Sequence, residues 1–402
     1  MWSKDVNELI PKRWVAGIVG AAIVCMAAMG IASALAGCTA VVNTRVNFPM
    51  ERAAVGLIDT SSAEDVSRIV FYDENLGELG ELPLKKGGVG DGWADACVWG
   101  DALYVAPRGI DKFEPGPTNE VLEISLRDVA VRPHDMGDEL ASFDLVAAND
   151  RYVFASSWSL NGPVVRCDKR TGDLATFPLS EGSATLLLWS GRSLFVFVTD
   201  EDAPADDEAG SAADPARSSM VLQLDESLQV EREYDLSSYG SEVRRAVACD
   251  GVLYAVCSGG AAGASGPGAE DSSAGNIVMV NTSTGEVAPY PLPVADALAV
   301  AVHEGQLYMV RQNAVAPSGT AMLSVGDLGG GNLKTYELEH LADQMAIRGN
   351  RLYLADAGAR KVYAYDLTAL APDGEAAPVA STELAPLSDT YTYITNLFPV
   401  GK

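Results

Sequence analysis

The sequence predicts an all-β fold: a seven-bladed β-propeller with one blade closed by strands from both chain ends, preceded by an N-terminal signal or anchor helix. Three observations predict it. A hairpin phrase of apolar run, two-residue turn and apolar-aromatic run is written six times. Its turns are Gly100-Asp101, Asn149-Asp150, Gly191-Arg192, Asp250-Gly251, Glu304-Gly305 and Gly349-Asn350. Gly, Asn and Asp tolerate the positive φ that such tight antiparallel turns often require. The anchor residues of the second runs, Leu103, Tyr152, Leu194, Leu253, Leu307 and Leu352, are 42 to 59 residues apart. That is the spacing of four-stranded blades, which take ~40–50 residues each. Finally, three strand-like runs precede the first hairpin and one follows the last full unit. Together these make a seventh blade and remove the open sheet edges that invite aggregation.

The N-terminus comes first in chain order. Lys4, Lys12 and Arg13 precede an uncharged, Ala- and Gly-rich run from Trp14 to Gly37. Basic, apolar and small-residue segments in that order form a secretory signal. The run is also long enough to cross a bilayer uncleaved. Under either reading the basic flank stays cytoplasmic and the rest is exported. The run ends in Leu35-Ala36-Gly37-Cys38, which resembles the lipobox of bacterial lipoproteins. That resemblance implies cleavage before Cys38 and acylation of its thiol and amine, and several acyl chains anchor stably where one does not. The expected organisation is residues 1–37 as lipoprotein signal peptide or membrane anchor, 38–50 as linker and 51–402 as propeller. The stretch from Cys38 to Ala53 reaches at most ~50 Å, so the propeller stays near the bilayer.

The blade strands follow. The incomplete first unit reads Ala53–Ile58, Arg68–Tyr72 and a weaker run at Leu79–Leu84, and the orphan strand is Tyr391–Thr395. Within a full unit the strands are A to D, with A and B joined by the hairpin turn. Examples of C and D are Pro163–Cys167 with Leu174–Phe177, Asn276–Val280 with Val287–Tyr290, and Lys361–Tyr365 with Pro378–Ser381. The A strands, such as Leu186–Trp189 and Ala297–Val302, lack period-two alternation, as expected of strands buried on both faces. The long insertions Arg108–Asn119, Glu201–Ser218 and Ser258–Gly275 all fall between B and C, on one face. Loop variation confined to one face of a scaffold marks its functional side.

The chain of 402 residues carries 28 basic and 55 acidic residues, a net charge of −27. That balance argues against nucleic acid and against adhesion to anionic headgroups, both of which need clustered Lys and Arg. Of the six cysteines, Cys97, Cys167, Cys249 and Cys257 follow Cys38. Export permits disulfides, but three of these fall in different units, and the hairpin register places Cys257 opposite Arg244, not Cys249. Buried free thiols are therefore expected. No Cys-x-x-Cys occurs, so metal ribbons and attached haem have no support.

Leu352–Tyr363 (LYLADAGARKVY) and Asn276–Val287 (NIVMVNTSTGEV) are similar to NHL or YVTN-type propeller repeats. The resemblance extends over the repeats from about residue 50 onward and implies a propeller. It implies no reaction, because such families include binding proteins and enzymes. Quinoprotein propellers carry a Trp soon after the Thr-Gly turn. Here Thr171-Gly172 leads to Phe177 and Thr284-Gly285 to Tyr290, which speaks against a quinone cofactor, and no other cofactor is expected.

Chemistry-bearing residues are sparse. His134 and His340 are read as lying in connections and His303 beside a turn, with no metal-ligand pair on one strand. No nucleophile elbow, P-loop or dinucleotide fingerprint stands in a suitable context. One pattern stands out. Five residues before each hairpin turn, at the A-strand end nearest the insertions, stand Asp95, Asp144, Leu186, Arg245, Ala299 and Gln344. The next positions inward, Ala96, Leu145, Leu187, Ala246, Val300 and Met345, are apolar. A partial polar ring at the channel mouth, above an apolar wall, suits an ion or small polar ligand. A merely hydrated mouth is the alternative. Trp93 and Trp158 fall on the same face, as partner anchors or as packing beneath loops. The resulting expectation is a non-catalytic binding or scaffolding propeller, lipid-anchored through Cys38 on the extracytoplasmic side of a cell membrane, with an envelope protein or small ligand as partner. The alternative is a lactonase- or lyase-like enzyme at the channel mouth.

Overall fold

The computed structural model describes residues 49–61, 66–84, 96–107, 119–138, 143–157, 161–199, 219–240, 242–258, 276–291, 297–312, 319–370, 376–388 and 392–401. The signal or anchor segment, Cys38, Trp93, Asp95, Trp158 and nearly all of the three B-to-C insertions lie outside the described residues. Among the described residues no helix is long and apolar enough to cross a membrane.

Seven four-stranded antiparallel sheets account for all 28 described strands. The first unit contributes β1 (Val55–Ser61), β2 (Val66–Tyr72) and β3 (Glu78–Leu84). Blade two is β4 (Ala96–Trp99), β5 (Ala102–Val105), β6 (Glu120–Ser125) and β7 (Val131–Asp135). Blade three is β8 (Leu145–Ala148), β9 (Tyr152–Ser156), β10 (Val164–Asp168) and β11 (Leu174–Phe177). Blade four is β12 (Ser183–Ser190), β13 (Ser193–Thr199), β14 (Ser219–Leu224) and β15 (Val230–Asp235). Blade five is β16 (Glu242–Cys249), β17 (Val252–Ser258), β18 (Asn276–Asn281) and β19 (Val287–Pro289). Blade six is β20 (Ala297–His303), β21 (Gln306–Gln312), β22 (Ala321–Asp327) and β23 (Lys334–Glu337). Blade seven is β24 (Gln344–Arg348), β25 (Arg351–Asp356), β26 (Lys361–Asp366) and β27 (Ala380–Glu383). The final strand β28 (Thr392–Pro399) pairs with β1 and completes blade one in the order β28-β1-β2-β3. The orphan strand thus closes the ring, as the sequence predicts.

Five of the six hairpin turns fall on the residues the sequence indicates. Asp250 and Gly251 have φ of 50° and 78°, and Glu304 and Gly305 have 47° and 75°. Positive φ at both central residues matches the type I′ geometry that follows strand twist. At Gly100, Gly191 and Gly349 only the first central residue is left-handed. The remaining turn is shifted by one residue. Asn149 pairs with Tyr152, so the central residues are Asp150 and Arg151. Neither has positive φ. Instead Asn149 Oδ1 accepts the N–H groups of Arg151 and Tyr152 at 2.8 and 2.7 Å. An Asx side chain supplies what a left-handed residue supplies elsewhere.

Four of the seven turns from C to D share a different device. Asp73, Asp168, Asp225 and Asn281 open them, each accepting two backbone N–H groups through Oδ1. Glycine fills the left-handed position at Gly172 and Gly285, but Leu76 and Leu228 fill it in blades one and four at φ 61° and 62°. Both leucines are buried. A left-handed L-residue costs about 1–2 kcal/mol and burial of a Leu gains about 1.5–3, so packing wins.

The hydrophobic core is partitioned between blades. One cluster joins blades one and two through Ile58, Phe71, Leu103, Ile124 and Phe398. Another joins blade one to blade seven through Leu57, Tyr353, Ala355 and Leu397. B strands are the most buried, β9 and β13 throughout. The A strands depart from expectation. In β8 all four residues are buried, whereas β4, β16, β20 and β24 are mostly half-buried. One face of an innermost strand borders the channel, so apolar composition there does not mean burial on both sides.

Closure of blade one is held at three points. Phe398 lies on Gly56, where a Cβ would stand 2.4 Å from the ring, and meets Phe71 edge-on at 6.4 Å. At the loop face Asp59, fully buried, accepts from Arg360 Nη1 and Nη2 at 2.6 and 2.9 Å and from Arg68 Nε at 2.9 Å. Both arginines also donate to Ala385 O, at 2.8 and 2.6 Å, and Arg68 pairs with Glu81 at 2.8 Å. Ser61 and Ser388 hydroxyls meet at 2.7 Å. The four charges balance, which a buried ionic cluster requires. Asp59→Ala leaves Arg360 buried without its carboxylate and is expected to cost about 3–5 kcal/mol. Arg360→Ala, which leaves Asp59 paired with Arg68, is expected to cost less. Urea denaturation checks both; equal and small losses would contradict the assignment of Asp59 as the hub.

Candidate functional site at the channel mouth

The A strands converge on the channel, and their local register decides which side chains reach it. In blades four, five and six the A-to-B ladder shifts by one residue between Ala184 and Leu186, Val243 and Arg245, and Ala297 and Ala299. In blade one the same shift separates Ile394 from Asn396. These are β-bulges at one level of four blades, and bulges re-aim the side chain that follows. The bulge at Thr185 is pinned across blades, its hydroxyl donating to Val243 O at 2.8 Å. In blades three and seven, Asp144 and Asp343 stand at that level, each donating its N–H at 3.0 Å to the carbonyl opposite, of Ser156 and Ala355.

A cavity of about 260 Å³ opens at this level. Its polar lining comes from Arg245, Gln344 and Asn396, and its apolar wall from Val98, Val300, Met345, Leu397 and Phe398. The structure therefore brings Arg245, Ala299 and Gln344 together, as the sequence count indicates. Asp144 lies one residue away from the equivalent position. Because the blade-three turn begins at Asp150, the ring position is Leu145, which pairs with Ser156, and Asp144 stands one residue outside it. Asn396 was not reached by the count, since the composite blade has no A-to-B turn to count from. Its pairing with Ile58 is the equivalent of Arg245 with Val256.

Asp343 is the most perturbed acid near the mouth. Burial pushes its carboxyl up to about 6, and neighbouring Asp356 adds to this; a hydrogen bond from Ala357 N at 3.2 Å and the Arg245 charge act in the opposite direction. Arg245 and Asp343 lie in blades five and seven, so their interaction spans blade six. Two amides and a guanidinium above an apolar floor can grip a carboxylate or other polar head while its apolar part points inward.

The histidines lie elsewhere. His134 is in strand β7, not in a connection, because Val131–Asp135 pairs with β6. Its Nε2 donates to Glu123 at 2.6 Å. His340 does lie in a connection, stacked on Tyr363 at 3.5 Å, with Tyr365 OH 2.5 Å from Nε2. Cys97, Cys167, Cys249 and Cys257 are free thiols, two of them buried. Cys257 faces Val243 instead of Arg244, displaced by the bulge, and burial pushes its thiol up to about 12. Among the described residues no cluster of three or more His, Cys, Asp or Glu could hold a metal ion.

No family model and no curated protein matches this chain. Among solved structures it is similar to AztD from Citrobacter koseri, at 10% identity and TM-score 0.47, covering 87% of this chain and 98% of that one. A protein of Bacteroides uniformis, provisionally described as a 6-phosphogluconolactonase, matches at 12% and 0.49, over 82% and 99%. The dihydro-heme d1 dehydrogenase NirN matches at 13% and 0.48, over 86% and 67%. These likenesses lie below the level at which a shared ligand or reaction follows, and the architecture rests on this chain's own strand pairing.

The raised Asp343 carboxyl has a pH consequence. Its folded pKa lies above the unfolded value, so the folded state binds the extra proton and stability falls as pH rises from about 4 through about 6. His340, whose pKa burial lowers, works in the opposite sense. The difference between wild type and Asp343→Asn isolates the acid: the variant keeps the acceptor for Ala357 N and is expected to gain on wild type between pH 5 and pH 7.5. Urea midpoints at the two pH values test this, and parallel pH profiles would contradict it.

Proposed function

We propose that this chain is a lipid-anchored, extracytoplasmic propeller of the NHL or YVTN kind that binds a small polar ligand, or the polar tip of an envelope protein, at its channel mouth. The observation that carries this reading is the convergence of Arg245, Gln344 and Asn396, from three blades, on one cavity with an apolar floor. A scaffold function alone needs no such convergence. The repeated Asp- and Asn-headed turns from C to D support the repeat resemblance.

The lipobox-like Leu35-Ala36-Gly37-Cys38 supports the anchor, and the acidic net charge favours a lipid over electrostatic adhesion as the hold on an anionic bilayer. The described chain starts at Pro49 and enters β1 at Val55, which pairs with Pro399 and Tyr72 at the hairpin-turn face. A lactonase- or lyase-like reaction is the second reading, favoured by Asp343: a carboxyl held near 6 beside the mouth is suited to taking up a proton at neutral pH.

Two measurements test the proposal. In a thermal-shift screen of small carboxylates and other polar compounds on detergent-solubilised full-length protein, hits are expected that weaken about ten-fold or more in Arg245→Ala, the loss typical of a charged hydrogen-bond partner. A screen without hits, or hits indifferent to that change, would sink the binding reading. Intact-mass analysis of the membrane fraction is expected to find an acylated N-terminal Cys38; recovery of an intact Met1 end would refute the lipoprotein assignment.

A further inference from the structure

The face opposite the mouth holds a second cavity. Between the hairpin-turn ends of blades two and three lies an open cleft of about 560 Å³. Four of its lining side chains are cationic: Arg127, Arg132, Lys169 and Arg170. In a chain of net charge −27 such a concentration is unusual. The cleft also contains Asp101, Glu123 and Asp150, which leaves it a net charge of +1, and each carboxylate is directed by a hydrogen bond or ion pair. Asp101 pairs with Arg127, Glu123 accepts from His134 at 2.6 Å, and Asp150 accepts the Trp99 indole N–H at 2.8 Å.

The cations are held in place from behind. Lys169 Nζ donates to Tyr104 OH at 2.5 Å and to Asn149 O, and sits 4.4 Å from the centre of the Tyr104 ring. Arg132 Nη2 donates to Lys169 O at 2.6 Å, which ties the blade-two guanidinium to the blade-three turn. Its other guanidinium N–H groups, and the exposed side chain of Arg170, make no hydrogen bond among the described residues. The Asp168-headed turn fixes the backbone of Arg170, whose N–H donates to Asp168 Oδ1 at 2.9 Å. Arg132 and Lys169, held in this way, meet an anion with little cost of ordering, whereas the exposed Arg170 side chain is ordered on binding.

We infer that this cleft binds a phosphomonoester-type anion, with Arg132 and Arg170 donating to the phosphoryl oxygens, Lys169 adding charge, and the body of the ligand lying against Trp99. Three cations offer more donors than the two oxygens of a carboxylate accept, whereas a phosphoryl group presents three. The cleft is far larger than a bare ion, so the anion belongs to a larger molecule. Glycerol 3-phosphate, as the soluble form of a lipid headgroup, and phenyl phosphate, as an aromatic monoester, represent two sources of the same chemistry.

Calorimetric titration of detergent-solubilised full-length protein with inorganic phosphate, glycerol 3-phosphate and phenyl phosphate tests the inference. At least one monoester is expected to bind saturably and more tightly than inorganic phosphate. Arg132→Ala and Arg170→Ala are each expected to weaken it about ten-fold or more, and added salt to weaken it further. Arg192→Ala, on an exposed turn of blade four, controls for general charge loss and is expected to change nothing. A preference for phenyl phosphate that Trp99→Ala removes points to an aromatic monoester; a preference for glycerol 3-phosphate points to headgroups. Absence of saturable binding, or equal weakening by Arg192→Ala, overturns the site. Since Arg245 takes no part in it, failure here leaves the channel-mouth reading untouched.

Discussion

The pairing of β28 with β1 is the constraint on which the remainder depends. Each hydrophobic cluster is shared by neighbouring blades, so no blade completes its own core, and a missing last strand would leave two clusters open together. Gly56 exists as glycine because the Phe398 ring occupies the space of its side chain. Asp59 does the electrostatic part, tying a residue of β1 to Arg360 in blade seven. The partners are separated by most of the chain, yet loop-closure entropy grows only logarithmically with that separation. A few well-packed contacts therefore suffice to hold the ring shut.

Most of this architecture was legible because the hairpin phrase is local. A turn, its flanking apolar runs and its spacing are written in adjacent residues and give six blades and their strand order; the seventh blade and its closure are read from the strand-like runs at the two chain ends. What was misread depends on side chains acting out of sequence register. Asn149 looks like a turn residue but is the last paired residue, with its amide doing the turning. That one-residue slip moved the blade-three ring position from Leu145 to Asp144. Bulges at Thr185, Arg244, Leu298 and Thr395 have no signature in composition, so an unbulged register puts Cys257 opposite Arg244 where the structure has Val243. Asn396 was hidden because its blade is assembled from two chain ends. Apolar content alone suggests A strands buried on both faces, whereas the channel leaves one face of several of them half-open.

Charge shows the same limit at a larger scale. A net of −27 correctly describes the whole surface and says nothing about a cleft where Arg127, Arg132, Lys169 and Arg170 gather from two blades. Those residues are dispersed in the sequence among acidic neighbours and meet only because the C-to-D turns of adjacent blades lie side by side. The two faces consequently carry different chemistry: a guanidinium with two amides over an apolar floor at the mouth, and arginines beside an indole at the turns.

The bulges have a consequence for how such a molecule can diversify. By placing an extra residue at one level, they bring Arg245, Ala299 and Asn396 to the cavity, while Leu186 at the same station packs in the core between blades. Leu186, Arg245, Ala299 and Asn396 occupy the same backbone station with apolar, cationic, small and amide side chains. The ring already tolerates that range within a single chain. Selection can therefore redraw the recognition surface one blade at a time, without renegotiating the core beneath it.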